Sequence, residues 1–150
     1  MLDIKNIIIP TDFSKLSQSA FSYARDLAEM TNATIHILYV LDKNLPFIPN
    51  KSSEQSEEDL IEELEIDARK QLLVCTDNLV DDSEIKVTQT LRKGIDYEEI
   101  VSYAVEVNSS IIVIATHGRT GTLHNLLGSV AEKVIRYSKC PVLVIKPEEE

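Results

Sequence analysis

Ile111-Ile-Val-Ile-Ala115-Thr-His-Gly118-Arg-Thr-Gly121-Thr-Leu-His-Asn-Leu-Leu-Gly128-Ser129 is the stretch that decides the fold. Its first five residues are continuously apolar and mostly β-branched, the pattern of a strand covered on both faces in a parallel sheet. Gly118 and Gly121 follow at once, and Gly128-Ser129 then opens a helix whose stripe reads Leu127, Val130, Ala131, Val134 and Ile135. A buried strand, a glycine-rich turn and an amphipathic helix make half of a βαβ unit. Glycine allows positive φ and lets a ligand approach the backbone without a Cβ in the way. A helix N-terminus adds unsatisfied N–H groups and about half a positive charge, which attract phosphate.

The same alternation extends outward along the chain. Apolar runs at Ile4–Ile9, Thr34–Leu41, Ile85–Leu91 and Val142–Ile145 predict four more strands. The first and last read as covered on both faces. The third alternates polar and apolar residues and suits a strand near an edge. Helical stripes lie between them: Leu16 to Ala28 with Asp12 or Ser14 as N-cap; Ile61, Leu64, Ala68, Leu72, Cys75 and Leu79; and Tyr97, Ile100, Val101, Ala104 and Asn108, opened by Gly94 and Asp96. The resulting order β-α-β-α-β-α-β-α-β predicts a doubly wound α/β sheet with right-handed crossovers, in one domain over residues 1–150. Residues 42–56, with Pro46 and Pro49, read as a long loop. The acidic run Glu57–Asp67 reads as the solvated face of the second helix.

Composition narrows the function. Fifteen Lys and Arg against twenty-five Asp and Glu give a net charge of −10, which repels phosphate backbones and anionic lipid; nucleic-acid and membrane partners are not expected. No apolar run approaches the roughly 20 residues of a membrane helix. Cys75 and Cys140 make no disulfide framework, so a reducing cytoplasm is the expected location. Both read as packing residues. There is no G-x4-G-K-[ST] and no G-x-S-x-G. His117 lies in the glycine-rich turn without a base or nucleophile beside it in sequence, and His117 with His124 is a weak metal signal. No catalytic residue and no protein metal ligand is assigned.

In a doubly wound sheet, ligands bind beyond the carboxyl ends of the strands where the strand order reverses. Pro10-Thr11-Asp12 and the segment from Ala115 onward should meet there. Over Lys5 to Lys146 the chain resembles the universal stress protein family, whose nucleotide-binding branch carries G-x2-G-x9-G-[ST] after its fourth strand. Here that frame is Ala115, Gly118, Gly128 and Ser129, with Ala in the first position. The resemblance implies a five-stranded, Rossmann-like sheet in the order 3-2-1-4-5 with helices on both faces. It also implies binding of ATP, with AMP or ADP as alternatives and Mg²⁺ or Mn²⁺ carried by the phosphates.

Carried over position by position, Asp12 of the Pro10-Thr11-Asp12 turn stands at the nucleoside end of the pocket, and Val40 offers its backbone to adenine. Gly118, Gly128, Ser129 and Val130 face ribose and phosphates, with His117 and Arg119 nearby. The extra methyl of Ala115 is expected to weaken binding rather than abolish it. The final strand, residues 141–146, resembles the family's dimer strand, so a homodimer is expected. The function implied is a cytoplasmic, nucleotide-binding stress-response regulator that signals to a protein partner. A slow ATPase and a nucleotide-free interaction protein of the same fold are the alternatives.

Overall fold

A computed structural model describes residues 3–42, 56–117 and 127–147. Five parallel strands, β1 Asn6–Pro10, β2 Thr34–Asp42, β3 Lys86–Gly94, β4 Ile111–Ala115 and β5 Val142–Ile145, lie in the order β3-β2-β1-β4-β5. This is the class read from the alternation of elements, in the strand order implied by the family resemblance. The helices are α1 Phe21–Thr31, preceded by a 3-10 turn at Ser17–Ala20, then α2 Glu57–Val80, α3 Asp96–Glu106 and α4 Ser129–Tyr137.

Strand periodicity divides the core between two layers. Ile7 and Ile9 point to one face of the sheet, where they join Ile35, Ile37, Ala24, Ala28, Leu72, Cys75 and Leu79 beneath α1 and α2. Ile8 points to the other, with Leu38, Ile112, Ile114, Ile100, Ala104, Ala131 and Val134 beneath α3 and α4. β1 and β4 therefore read as continuous apolar runs because both of their faces are buried.

Several expectations need correction. β5 is not covered on both faces: it is an edge strand, and Leu143 is 38% exposed. The α-helix of the first stripe starts only at Phe21, because the chain first winds as a 3-10 turn. Asp12 and Ser14 still act at its entrance, with Asp12 Oδ1 accepting the Ser14 N–H at 2.9 Å and Ser14 Oγ accepting the Ser17 N–H at 3.0 Å. In α2 it is Leu60 that is buried at the start of the stripe, with Ile61 and Leu64 only partly covered. Ser56 caps this helix by accepting the Asp59 N–H at 3.1 Å. Glu57, Glu58 and Asp59 occupy its first turn, where negative charge meets the positive end of the helix dipole. Residues 43–55 of the loop lie outside the described residues.

His36 links three strands, its Nε2 lying 3.0 Å from Asn6 Oδ1 on β1 and its Nδ1 2.8 Å from Thr88 Oγ1 on β3. With the Asn6 carbonyl accepting, the ring proton sits on Nε2 and Nδ1 accepts from Thr88, so the neutral ring satisfies both partners. Burial holds the His36 pKa below its ordinary value. As the pH falls below about 6.5, the unfolded chain takes up this proton before the folded one, and stability declines. Between pH 7.5 and pH 5 the wild-type melting temperature is therefore expected to fall further than that of His36→Gln. Equal falls in thermal unfolding would remove His36 from the account.

Candidate functional site

The site begins where the sheet splits. β1 pairs with β2 along its whole length, from Asn6↔Thr34 to Pro10↔Leu38. With β4 it is paired only at Ile7↔Ile111 and Ile8↔Ile112, whereas β4 runs on to Ala115 beside β5. A crevice therefore opens between β1 and β4 at their carboxyl ends, where chain order reverses. Pro10 ends β1 at this point, where its missing N–H removes no ladder bond to β4.

On the β1 side the chain turns sharply. Thr11 donates its N–H to the Leu38 carbonyl at 2.9 Å. Its hydroxyl, 7% exposed as a residue, meets Ser17 Oγ at 2.9 Å and accepts the Phe13 N–H at 3.1 Å. Thr11 thus anchors the turn. Phe13 has φ of 70°, a left-handed conformation that costs a bulky L-residue energy. Its ring packs on Tyr39 with centroids 4.5 Å apart, which holds it there. Asp12 is left half-buried at the apex, with one carboxylate oxygen engaged by the Ser14 N–H.

Val40 stands on β2 two residues beyond Leu38, opposite Arg92 of β3. In a parallel ladder alternate residues turn their peptide groups to the same side. Leu38 bonds toward β1, so Val40 turns its N–H and C=O to that side, where β1 has ended. Its side chain packs partly buried against the α3–α4 core.

On the β4 side, Ala115 is the last strand residue and is buried, paired with Ile145. Thr116 donates its N–H to the Ile145 carbonyl at 2.8 Å and accepts the Gly128 N–H at 2.7 Å. That second bond ties the start of α4 to the end of β4 and sets the helix N-terminus over the crevice. Gly128 is the N-cap, with φ −72° and ψ 161°, angles open to any residue. Its glycine is required for room: a Cβ there would stand 2.8 Å from the Thr116 carbonyl oxygen.

Ser129 begins α4 with its side chain exposed, and Val130 packs partly against the core while offering its first-turn N–H. No side-chain cap bond closes this end among the described residues. His117 is buried, with Nδ1 3.1 Å from Thr116 Oγ1. Gly118 and Arg119 lie outside the described residues.

The structure thus places Pro10, Thr11 and Asp12 at the end of β1, Val40 late in β2, and Ala115, His117, Gly128, Ser129 and Val130 between the end of β4 and the first turn of α4, all at the carboxyl end of the sheet. Sequence reasoning missed Thr116, whose carbonyl orders the α4 terminus, and Phe13, whose strained turn presents Asp12. Neither carries a motif; only the contact of Thr116 with Gly128 reveals its part. Among the described residues no group of three or more His, Cys, Asp or Glu side chains converges to hold a metal, and no helix is long and apolar enough to cross a membrane.

Comparison with known proteins agrees with this architecture. The chain is 37% identical to universal stress protein MJ0531 of Methanocaldococcus jannaschii over 147 residues, covering 97% of this chain and 85% of that one. It is 32% identical to the solved structure of protein MJ0577 from the same organism, with a TM-score of 0.84 and 99% of each chain covered. In fold it also resembles a universal stress protein of Archaeoglobus fulgidus solved in complex with dAMP, at 21% identity, with a TM-score of 0.66, covering 97% of this chain and 100% of that one. The sequence profile described as Universal stress protein family matches residues 3–146. The chain belongs to the universal stress protein family.

Proposed function

We propose that the protein is a cytoplasmic regulator that binds an adenine nucleotide, ATP first among them, in the crevice between β1 and β4, and that it works as a homodimer. The observation that carries the reading is the cradle at α4: a helix N-terminus held over the crevice by the Gly128–Thr116 bond, at a glycine whose Cβ would fill the space. Such a terminus attracts phosphate without many lysines, which suits a chain of net charge −10. Val40 supplies the kind of strand-edge peptide that pairs with a purine edge, and the Asp12 carboxylate is an acceptor suited to a ribose hydroxyl or an adenine amine. Mg²⁺ or Mn²⁺ would travel with the phosphates. The dAMP complex of the Archaeoglobus relative lends support to an adenine nucleotide as the ligand class.

The role follows from linkage. A ligand that bridges the Thr11–Asp12 turn and the α4 terminus favours the state in which both are ordered, and a protein partner can read that state. At 100 times its dissociation constant such a ligand stabilises the fold by about 2.7 kcal/mol. For a chain of this size that corresponds to a rise of about 5–10 °C in melting temperature. Thermal unfolding with and without millimolar ATP and Mg²⁺ tests the reading; no shift with ATP, ADP or AMP contradicts it.

The proposed dimer uses β5. Its outer edge presents Val142–Ile145 with Leu143 exposed, and an apolar edge left bare invites pairing with another strand. Two copies aligned about a two-fold axis would cover both edges. Light scattering at micromolar concentration is expected to give twice the 16.9 kDa chain mass; a sharp monomer mass contradicts the dimer.

A further inference from the structure

The His117 residue is 4% exposed, and its Nε2 has no hydrogen-bond partner among the described residues. Buried polar atoms are nearly always satisfied, so an orphan of this kind needs an explanation. Its position supplies one. Cδ2, the ring carbon bonded to Nε2, lies 3.7 Å from the point a Gly128 Cβ would occupy, so this edge of the imidazole faces the N-terminus of α4. The N–H groups of Ser129, Val130 and Ala131 stand there ahead of the first intrahelical bond, Glu132 N–H to the Gly128 carbonyl at 3.0 Å. The other ring nitrogen, Nδ1, faces the Thr116 hydroxyl at 3.1 Å. With that hydroxyl donating to Nδ1, the ring proton sits on Nε2, and it joins the free N–H groups of the α4 first turn, the Thr116 carbonyl there being already taken by the Gly128 N–H.

We infer that the Nε2–H of His117 donates to a phosphate oxygen of the ligand, and that His117 is the residue by which the crevice distinguishes a nucleotide from its nucleoside. The inference rests on the nucleotide reading above and adds to it the ligand group recognised and the side chain that recognises it. A cluster of free donors at the α4 terminus selects a group with several lone pairs and negative charge, which a phosphate offers and a ribose hydroxyl does not. It also has a consequence for the protein without ligand. There the donor is buried and unsatisfied, so an apolar ring in its place does not lower the stability of the fold, even though binding suffers.

Calorimetric titration with Mg·ATP and with adenosine, on wild type, His117→Phe and His117→Gln, tests this. His117→Phe is expected to weaken ATP binding about tenfold or more while leaving adenosine within about twofold, because a lost bond to a charged group costs that much. The ligand-free melting temperature of His117→Phe should equal or exceed that of wild type, and His117→Gln, which keeps an N–H donor, should retain most of the ATP affinity. In the wild type, the Nε2 nitrogen resonance should carry its proton and move with ATP but not with adenosine.

ATP binding by His117→Phe at wild-type strength overturns the inference, as does equal weakening of ATP and adenosine. So does an unprotonated Nε2 in the wild-type complex, a result that needs no variant to fold. If wild type binds no adenine nucleotide at all, the nucleotide reading itself has failed. If wild type binds ATP and the Phe variant matches it, only the assignment of His117 has failed.

Discussion

Gly128→Ala is expected to lower the melting temperature of the ligand-free protein and to erase the stabilisation by ATP in the same molecule. The added Cβ stands 2.8 Å from the Thr116 carbonyl oxygen, closer than such atoms approach one another. It cannot be relieved by a rotamer change, because the atom it meets is backbone. It must instead lengthen the 2.7 Å bond from the Gly128 N–H to that same carbonyl, the tie between β4 and α4. Overpacking of this kind costs about 1–3 kcal/mol, or roughly 2–12 °C for a chain of this size. The helix N-terminus then moves off the crevice, and donors aimed at a phosphate lose their aim. Comparing unfolding of wild type and variant with and without ATP separates the two effects. A variant that melts lower but keeps the full ATP shift would show that the terminus does not hold the ligand.

Ile8→Ala is the second change with a large expected effect. Ile8 is fully buried on the central strand, paired with His36 on one side and Ile112 on the other, and it packs against Leu38, Ile100 and Val134. Sheet on both flanks and helices above leave little room for collapse, so the cavity persists. Loss of such a side chain costs about 2–5 kcal/mol, against a total stability of roughly 5–15 kcal/mol for a domain. Denaturant unfolding should therefore show a large drop in midpoint. Leu73→Ala, on the exposed side of α2, should stay within about 0.5 kcal/mol of wild type. Similar losses at both positions would mean that the two-layer core is misplaced.

The fold was legible because its central strands are unambiguous. Ile7, Ile8 and Ile9 are apolar in succession because one sheet buries both of its faces, and no amphipathic helix tolerates that pattern. The edges were harder to read. β3 runs to Gly94, three residues beyond its apolar alternation, because β2 pairs with it as far as Asp42↔Gly94. Arg92 and Lys93 are held in that extension by ion pairs with Glu106 and Glu65 rather than by burial. The apolar composition of β5 suggested cover on two faces, yet composition does not distinguish a strand buried by its own helices from one left for another surface. Leu127 and Ile135, read as part of the stripe of α4, are 40% and 43% exposed: Leu127 precedes the helix, and within it only Ala131 and Val134 are buried.

The site was legible where a sequence rule has a geometric cause. The strand-to-helix alternation, with the 3-2-1-4-5 order implied by the family resemblance, places the crevice after β1 and β4, and the Gly128-Ser129 pair marks the start of α4. The physical reason for Gly128 was not legible, since the glycines suggest positive φ or the approach of a ligand, whereas the structure shows ordinary angles and a Cβ position crowded by the Thr116 carbonyl. The part played by His117 was hidden too, because burial with one nitrogen unsatisfied is a property of contacts and leaves no mark on spacing. Phe13 is the clearest such case: nothing in Asp12-Phe13-Ser14 announces a left-handed aromatic residue, and only the stacking on Tyr39 accounts for it.

The most direct test of the nucleotide crevice is an amide resonance map of the protein titrated with Mg·ATP. Saturable shifts are expected, concentrated at Thr11–Phe13, Val40, Thr116, His117 and Gly128–Val130, with the outer face of α2 around Leu73 unmoved. No saturable shift at millimolar ATP, or shifts centred on α2 and absent from the α4 terminus, would contradict it.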